Sequence, residues 1–244
     1  MIKLVIFDMD GTILDTLQDL ADCTNHLLRN HDYPEHPLDA YRYFVGNGIK
    51  TLIERAIPQT ERTSEKVETL YQEFLPYYEL HKEDKTRTYP GILELFHDFR
   101  QRGVMVAIAS NKVQSAMEPL VERYFPGIDF AAVLGYREGV PPKPHPAIVE
   151  EILKITGVEK SEVLYVGDTA VDMETAAGAN VCKVGVLWGF RNRQELETAG
   201  ADFMVKEPKE ILVIMNEELR ISGKRRMELT LLTPNSQPFN NSTI

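Results

Sequence analysis

Two aspartates one residue apart, Asp8 and Asp10, follow directly after the apolar run Leu4-Val5-Ile6-Phe7. Side chains two positions apart on an extended segment point to the same side, so the two carboxylates are expected to project together. Adjacent carboxylates repel each other, which is tolerable only when one keeps a proton or a cation neutralises both. Either arrangement can be used in catalysis, so this junction is the first candidate for an active site.

The next residues, Gly11 and Thr12, permit a sharp turn with close backbone approach and add a hydroxyl. Taken alone, Asp-Met-Asp-Gly could equally be a polar turn at the end of a strand. A calcium-binding loop is excluded, because its glycine stands sixth and its glutamate twelfth, between two helices. Here Gly11 is fourth in the motif, Asp19 is twelfth, and a strand comes first.

A second polar group follows the apolar run VAIA, in the order Ser110-Asn111-Lys112. A hydroxyl, an amide and the amino end of the next helix are expected to meet there, where a phosphoryl oxygen could be held. The alternative is that Ser110 only caps that helix.

Two later loops complete the set of candidate residues. Lys143 stands among prolines in the segment 141–146, whose restricted backbone could aim the amine at a fixed point, although most lysines are only solvated. Asp168 follows the apolar segment LYVG, and Asp172 comes one helical turn later. One such acid could be a helix cap, but two acids that face the first aspartate pair suggest a metal site.

The elements that must position these residues alternate between strand and helix after residue 91. The sequence predicts an α/β fold with a doubly wound parallel sheet, a Rossmann-like core, in which the polar residues lie at the carboxyl ends of the strands. The predicted strands are 4–7, 104–109, 130–134, 163–166, 181–187 and 202–205. The predicted helices are 92–102, 113–124, 146–155, one from 171, 193–198 and 209–219.

Residues 16–88 interrupt this pattern with helices predicted at 17–29, 41–45, 49–57 and 64–81 and with no strand. The block reads as a small helical domain inserted after the first strand, with Tyr89-Pro90-Gly91 as its return hinge. The expected division is a core of 1–15 and 89–222, a helical cap of 16–88, and a loosely ordered tail of 223–244.

Composition limits the partners that are expected. A formal net charge of -10 opposes binding to nucleic acid or to an anionic membrane surface, since both need a basic surface. The two cysteines, Cys23 and Cys182, fit a reducing compartment and exclude a disulfide framework. The apolar run near the amino terminus is too short for a signal peptide, so a cytoplasmic location is expected.

The order of these motifs carries a resemblance. The chain resembles the haloacid dehalogenase superfamily of phosphotransferases over residues 1–219, because its motifs follow the order of that family: a strand-end Asp-x-Asp-Gly-Thr, then Ser, then Lys, then Gly-Asp-x-x-x-Asp. The helical insertion resembles the small helical cap of that family. The stretches 45–48 (VGNG) and 185–191 (GVLWGFR) resemble the phosphoglycolate phosphatase group.

The resemblance implies a role for each motif residue. Asp8 would be the nucleophile that forms an aspartyl phosphate, and Asp10 the acid and base that serves the leaving oxygen and then water. Mg²⁺ would be held by the Asp8 and Asp168 carboxylates and the Asp10 backbone carbonyl, and Asp172 would brace this set. The phosphate-binding residues would be Gly11, Thr12, Ser110, Asn111 and Lys143.

The expected function is magnesium-dependent hydrolysis of a small phosphate monoester, with 2-phosphoglycolate preferred. In the cap, Asn47 and Lys50 would meet the carboxylate of the substrate. The alternative for Lys50 is a solvated pair with Glu54. Other enzymes of the same fold remain open, namely a phosphosugar mutase, a pyrophosphatase or a nucleotidase, as does a non-catalytic binding protein.

Overall fold

The computed structural model describes residues 1–217 and contains one large parallel sheet and one small antiparallel ribbon. The strands are β1 (Leu4–Phe7), β2 (Leu14–Asp15), β3 (Arg87–Thr88), β4 (Met105–Val113), β5 (Ala132–Tyr136), β6 (Val163–Gly167), β7 (Cys182–Val186) and β8 (Phe203–Val205). Six of them form the large sheet in the order β5-β4-β1-β6-β7-β8, and every adjacent pair is parallel. The predicted α/β parallel sheet is therefore confirmed.

Strand β1 lies at the centre of this sheet because its four apolar residues are covered on both faces. Leu4 is in register with Met105 of β4 on one side and with Val163 of β6 on the other. In a parallel sheet the carboxyl ends of neighbouring strands meet at one edge. The segments that follow β1 and β6, and the last part of β4, are thereby brought together.

Ten α-helices lie within the described residues. They are α1 (Leu17–Asn30), α2 (Leu38–Phe44), α3 (Ile49–Ala56), α4 (Ser64–His81), α5 (Ile92–Gln101), α6 (Gln114–Tyr124), α7 (Ala147–Thr156), α8 (Ala170–Ala179), α9 (Arg193–Thr198) and α10 (Glu210–Glu217). Every predicted helix is present, and its bounds, except the start of α2, agree with the prediction to within one residue; the predicted end of the last helix, 219, lies outside the described residues. Helix α2 begins three residues before its predicted start at Tyr41, directly after Pro37.

The buried apolar side chains fall into three clusters. Two clusters pack the helices of the α/β part against the sheet. The third consists of the apolar stripes of α1 to α4 and the segments between them, joined by Phe190. The four helices from 17 to 81, together called the helical segment, thus bury their apolar faces mainly against one another.

Two expectations about strands are wrong. Arg87–Thr88 is a strand that pairs antiparallel with Leu14–Asp15, where the chain leaves and re-enters the α/β part, although no strand was expected within 16–88. Strand β4 continues to Val113, so helix α6 starts at Gln114 and Ser110 does not cap it. Short pairings of this kind depend on the partner strand and leave no periodic pattern in the sequence. The expected tail, 223–244, lies outside the described residues.

Candidate active site

The two aspartates after β1 line one cavity, and each is paired with its own buried lysine. The Asp8 carboxylate lies 2.9 Å from the Lys143 amine, whereas both carboxylate oxygens of Asp10 lie 3.2 Å from the Lys112 amine. Asp8 is buried, and its backbone N–H donates to the carbonyl of Val166 on β6. Each aspartate therefore has a different lysine at ion-pair distance.

The turn after the pair brings the chain against Asp168. Gly11 has a φ of +87°, and a Cβ at this position would lie 2.3 Å from the carboxylate of Asp168. Only glycine fits such an approach in this backbone conformation. The Thr12 hydroxyl donates to Asp168 at 3.2 Å, and the Phe190 N–H donates to it at 2.7 Å. The structure therefore gives the Thr12 hydroxyl a carboxylate partner, and its expected part in phosphate binding stays a prediction.

Asp172 has two functions in the local structure. One of its carboxylate oxygens accepts hydrogen bonds from the backbone and hydroxyl of Thr169 and so caps the start of α8. The other lies 2.8 Å from the Lys143 amine. Asp172 therefore contacts the same lysine as Asp8, and its expected bracing of the metal-binding set stays a prediction.

Lys143 is the central cation of this group. Besides Asp8 and Asp172, its amine donates to the Ala109 carbonyl at 3.0 Å and to the Tyr165 hydroxyl at 3.1 Å. Burial favours the neutral amine, but attraction to the two carboxylates outweighs it and raises the pKa of Lys143 well above its usual value. The side chain stays charged while it is only 2% exposed, which is the arrangement needed to meet an anion beside Asp8.

Asp8, Asp168 and Asp172 form a buried cluster in which one oxygen of each lies within 4.8 Å of the others. Burial raises the pKa of Asp8 from 3.8 to about 7, although Lys143 opposes this. Burial, with repulsion from Asp172 and Asp8, also raises the pKa of Asp168 well above its usual value. One lysine does not neutralise three buried carboxylates, so the cluster fits a further cation, and its hard oxygen donors suit Mg²⁺ or Ca²⁺. Asp10 is not part of this cluster.

Ser110 and Asn111 lie on the last part of β4. Ser110 is buried and lines the cavity beside Asp8. The Asn111 amide nitrogen donates to the carbonyls of Gly46 and Lys143 at 3.2 and 3.1 Å, and its oxygen accepts from the Lys143 N–H. Asn111 thus fixes the loop that carries Lys143 and joins it to the helical segment.

Sequence reasoning missed two residues of this site. The sequence indicates for Lys112 only a place in the polar run after VAIA, and for Tyr78 only a place in the helix 64–81. Both are buried, and the Lys112 amine donates to the Tyr78 hydroxyl at 2.6 Å. The only sequence signal was that Lys112 follows a strand whose other polar residues were already candidates.

Asn47 and Lys50, the two candidate residues of the expected cap, have partners outside the cavity. The Asn47 side-chain oxygen accepts from Arg55 at 3.0 Å, and the Lys50 amine lies 2.5 Å from Glu68. The expected alternative partner of Lys50, Glu54, is therefore not the one observed. The cavity itself is lined by Gly46 and Gly48, on either side of Asn47.

Two arginines connect the helical segment with the loop after β7. Arg42 donates to the Gly189 carbonyl and Arg191 donates to the Val45 carbonyl, each at 3.0 Å. Both bonds use a charged donor and so are stronger than neutral pairs. The helical segment and the sheet therefore meet directly around the cavity.

None of the helices within 1–217 combines the length and the apolar character that a bilayer crossing requires.

The sequence pattern of the family described as haloacid dehalogenase-like hydrolase matches residues 5–186 of this chain. The phosphoglycolate phosphatase of Mesorhizobium japonicum is 33% identical over 196 residues, which cover 80% of this chain and 86% of that protein.

Crystal structures show the same similarity. One from Lactobacillus delbrueckii subsp. bulgaricus superposes with a TM-score of 0.82 at 32% identity and covers 87% of this chain and 98% of that one. A predicted phosphoglycolate phosphatase from Haemophilus somnus superposes with a TM-score of 0.79 at 28% identity, covering 87% and 97% of the two chains.

Proposed function

Because the chain belongs to the haloacid dehalogenase-like hydrolases and is a phosphatase acting on phosphoric monoesters, we propose that it hydrolyses a small phosphate monoester with Mg²⁺ through an aspartyl phosphate. The preferred substrate is 2-phosphoglycolate, since the similar protein from Mesorhizobium japonicum is a phosphoglycolate phosphatase. The observation that carries the proposal is that Asp8 and Asp10 line one cavity while Asp8 also belongs to the buried acidic cluster.

In the first step, an Asp8 carboxylate oxygen attacks phosphorus and the bond from phosphorus to the ester oxygen breaks. That oxygen keeps the bonding electron pair and takes a proton from the Asp10 carboxyl, which releases the alcohol. In the second step, Asp10 takes a proton from water, the water oxygen bonds to phosphorus, and the bond to Asp8 breaks. Inorganic phosphate leaves, Asp8 is again a carboxylate, and Asp10 is again protonated.

The neighbouring residues place the phosphoryl group. Lys143, which already contacts Asp8, and Ser110, beside it in the cavity, would hold phosphoryl oxygens. Mg²⁺ would be held by the Asp8 and Asp168 carboxylates and the Asp10 backbone carbonyl, where it would offset charge between the nucleophile and the phosphate. The assignment of Gly11, Thr12 and Asn111 to phosphate binding is part of the same proposal.

We infer that the helices of 16–88 form a cap over this cavity, and that 1–15 with 89–217 form the catalytic core; the last residues of the expected core, 218–222, lie outside the described residues. The inference is supported by the apolar cluster that α1 to α4 share and by the ribbon of β2 and β3, which joins both chain crossings. The position of Gly46 and Gly48 in the cavity lining suggests that the cap contacts the organic part of the substrate.

The experiment that tests the proposed function is a screen for phosphate release with Mg²⁺ over a panel of 2-phosphoglycolate, phosphosugars, nucleotides and pyrophosphate. We expect the highest kcat/KM on 2-phosphoglycolate, without any bisphosphate activator. Transfer of phosphate back to a sugar would indicate a mutase. Preferred cleavage of pyrophosphate or nucleotides would redirect the substrate assignment, and activity on no member would favour a binding protein.

The specificity proposal for the cap is tested by Asn47→Ala and Lys50→Ala on 2-phosphoglycolate and on p-nitrophenyl phosphate. We expect each variant to lose roughly tenfold on 2-phosphoglycolate, as for one charge-assisted contact, and to spare the aryl ester. For Lys50 this requires its amine to exchange Glu68 for the substrate, so Glu68→Gln is the matched control and should increase turnover of 2-phosphoglycolate. Equal losses on both substrates would remove these residues from the specificity proposal.

The raised pKa of Asp8 predicts how a bound cation changes stability with pH. Below pH 3.8, the usual pKa of an aspartate, Asp8 is protonated in both the folded and the unfolded chain. Between pH 3.8 and about pH 7, Asp8 is ionised in the unfolded chain but still largely protonated in the folded chain. The contribution of Asp8 to the free energy of unfolding therefore falls as the pH rises through this range. Above about 7 that contribution stays lost, and Mg²⁺ no longer competes with the proton. We therefore expect saturating Mg²⁺ to raise the melting temperature by roughly 5–10 °C at about pH 8 and by less at about pH 5.5.

Differential scanning fluorimetry at the two pH values measures this shift. Asp168→Asn, which removes one charge of the same cluster, should reduce it at about pH 8. A shift that is equal at both pH values, or that survives in Asp168→Asn, would argue against a cation held by this cluster.

A further inference from the structure

Lys112 is a buried cation whose partners come from two different parts of the molecule. Its side chain is 3% exposed. The amine contacts both oxygens of Asp10, in the loop after β1, and the hydroxyl of Tyr78, on α4. An ammonium group has three donors, and these three oxygens match them in number. Burial favours the neutral amine, but attraction to Asp10 outweighs it and raises the pKa of Lys112.

Tyr78 presents its hydroxyl to this lysine from the interior of the helical segment. The side chain is 2% exposed and its ring stacks on Phe74 of the same helix at a centroid distance of 5.2 Å. The hydroxyl therefore has a position set by the packing of α4. Burial raises the pKa of Tyr78 to about 12, although Lys112 opposes this, so the group stays a neutral phenol at physiological pH.

The contact lies at the reacting face of the site. Lys112, Asp10 and Asp8 line the same cavity, whereas the lysine that holds Asp8 is a different one, Lys143. The two catalytic carboxylates thus have separate supports. The support of Asp8 comes from the α/β part, while the support of Asp10 extends to the helical segment.

We propose that Lys112 and Tyr78 are positioning residues: Lys112 orients the Asp10 carboxyl and Tyr78 orients Lys112, so proton transfer by Asp10 depends on α4 lying against the sheet. The inference rests on the proposed role of Asp10 as acid and base. A fixed cation on one side restricts the orientations of a carboxyl group. Less conformational entropy is then lost when the carboxyl aligns with the ester oxygen. Contact with the cap and proton transfer are coupled through this pair.

The test compares two esters of similar size that differ in their need for a proton donor. Benzyl phosphate has a poor alkoxide leaving group, while p-nitrophenyl phosphate has a good one. Alcohol release is measured in single turnovers with enzyme in excess and Mg²⁺ present. We expect Lys112→Met to slow benzyl alcohol release by roughly a hundredfold and p-nitrophenol release by less than about fivefold. Tyr78→Phe should act in the same direction by roughly three- to tenfold.

Lys82→Met is the matched control. Lys82 is another buried lysine, 3% exposed, that pairs with Glu79 three residues before it and does not line the cavity. Its substitution removes a buried ammonium group, paired with the exposed carboxylate of Glu79, without touching Asp10. We expect wild-type rates on both esters. If Lys112→Met slows both esters equally, its role is structural and the proposal is overturned. Should that variant not fold, the ratio of the two rates in Tyr78→Phe decides by the same criterion.

A double-mutant cycle separates this inference from the proposed function. If Lys112 acts through Asp10, then Lys112→Met should add less than about threefold to the loss that Asp10→Asn causes on benzyl phosphate. Additive losses would overturn the positioning role. If Asp10→Asn alone leaves benzyl alcohol release at the wild-type rate, then the acid assigned in the proposed function is wrong. A loss in Asp10→Asn with none in Lys112→Met or Tyr78→Phe would reject only the present inference.

Discussion

Asp8→Asn is expected to lower phosphate release by roughly a thousandfold or more while the protein stays folded. The amide is a far weaker nucleophile than the carboxylate and cannot balance the charge of a cation. The fold should survive because Asn has nearly the same shape, and because the lost charge is one that burial disfavours, as the raised pKa of about 7 indicates. Lys143 keeps its ion pair with Asp172 at 2.8 Å in this variant.

A phosphate-release assay measures the loss of activity, and circular dichroism measures whether the variant stays folded. Acid quenching during turnover of a radiolabelled ester should leave label on the wild-type protein and none on Asp8→Asn. Asp39→Asn, at a side chain that is 93% exposed, is the control for a change from aspartate to asparagine and should behave as the wild type. Wild-type turnover in Asp8→Asn would mean that the nucleophile has been assigned wrongly.

Exhaustive chelation is expected to remove activity by at least roughly a hundredfold, and Mg²⁺ is expected to restore it while Ca²⁺ does not. The three buried carboxylates of the cluster carry more negative charge than Lys143 neutralises, so an anionic ester would be repelled without a further cation. In-line transfer favours the strict octahedron of Mg²⁺, whereas Ca²⁺ accepts looser and larger coordination.

The measurement is phosphate release after treatment with a chelator and readdition of each ion, with Mg²⁺ titrated against fixed Ca²⁺ to detect inhibition. Circular dichroism of the chelated protein controls for unfolding. Undiminished activity after chelation would reject a metal requirement. Equal restoration by both ions would leave a cation in place but reject the argument from coordination geometry.

Much of the α/β fold could be predicted from the sequence, because its strands and helices carry strong local patterns. Strand β1 is a continuous apolar run that is buried on both faces, and helix α4 was predicted with the observed bounds of 64–81. The α/β class and the haloacid dehalogenase-like family are confirmed. The strand Arg87–Thr88 was missed because two residues form no period, and their pairing depends on Leu14–Asp15, more than seventy positions earlier in the chain.

The candidate site was predictable to the extent that its residues follow strands. Asp8, Ser110 and Asp168 all lie near the carboxyl ends of adjacent strands, and parallel pairing brings them together without any information on side-chain packing. The structure brings them to one region, and their chemical roles stay predictions. For Asn47 and Lys50 the sequence suggested a ligand, but each side chain has a protein partner that lies outside the cavity.

The sequence by itself determined the class of fold, the family and the acidic motifs, since these depend on residue types at short and regular spacings. Tertiary structure decided which lysine pairs with which carboxylate: Lys143 forms an ion pair with Asp8, and Lys112 forms one with Asp10. It also placed Tyr78, thirty-four positions from Lys112, against that lysine. Such pairings are set by how the helical segment packs on the sheet. A buried charge must find its partner in space, and no local pattern in the chain records where that partner is.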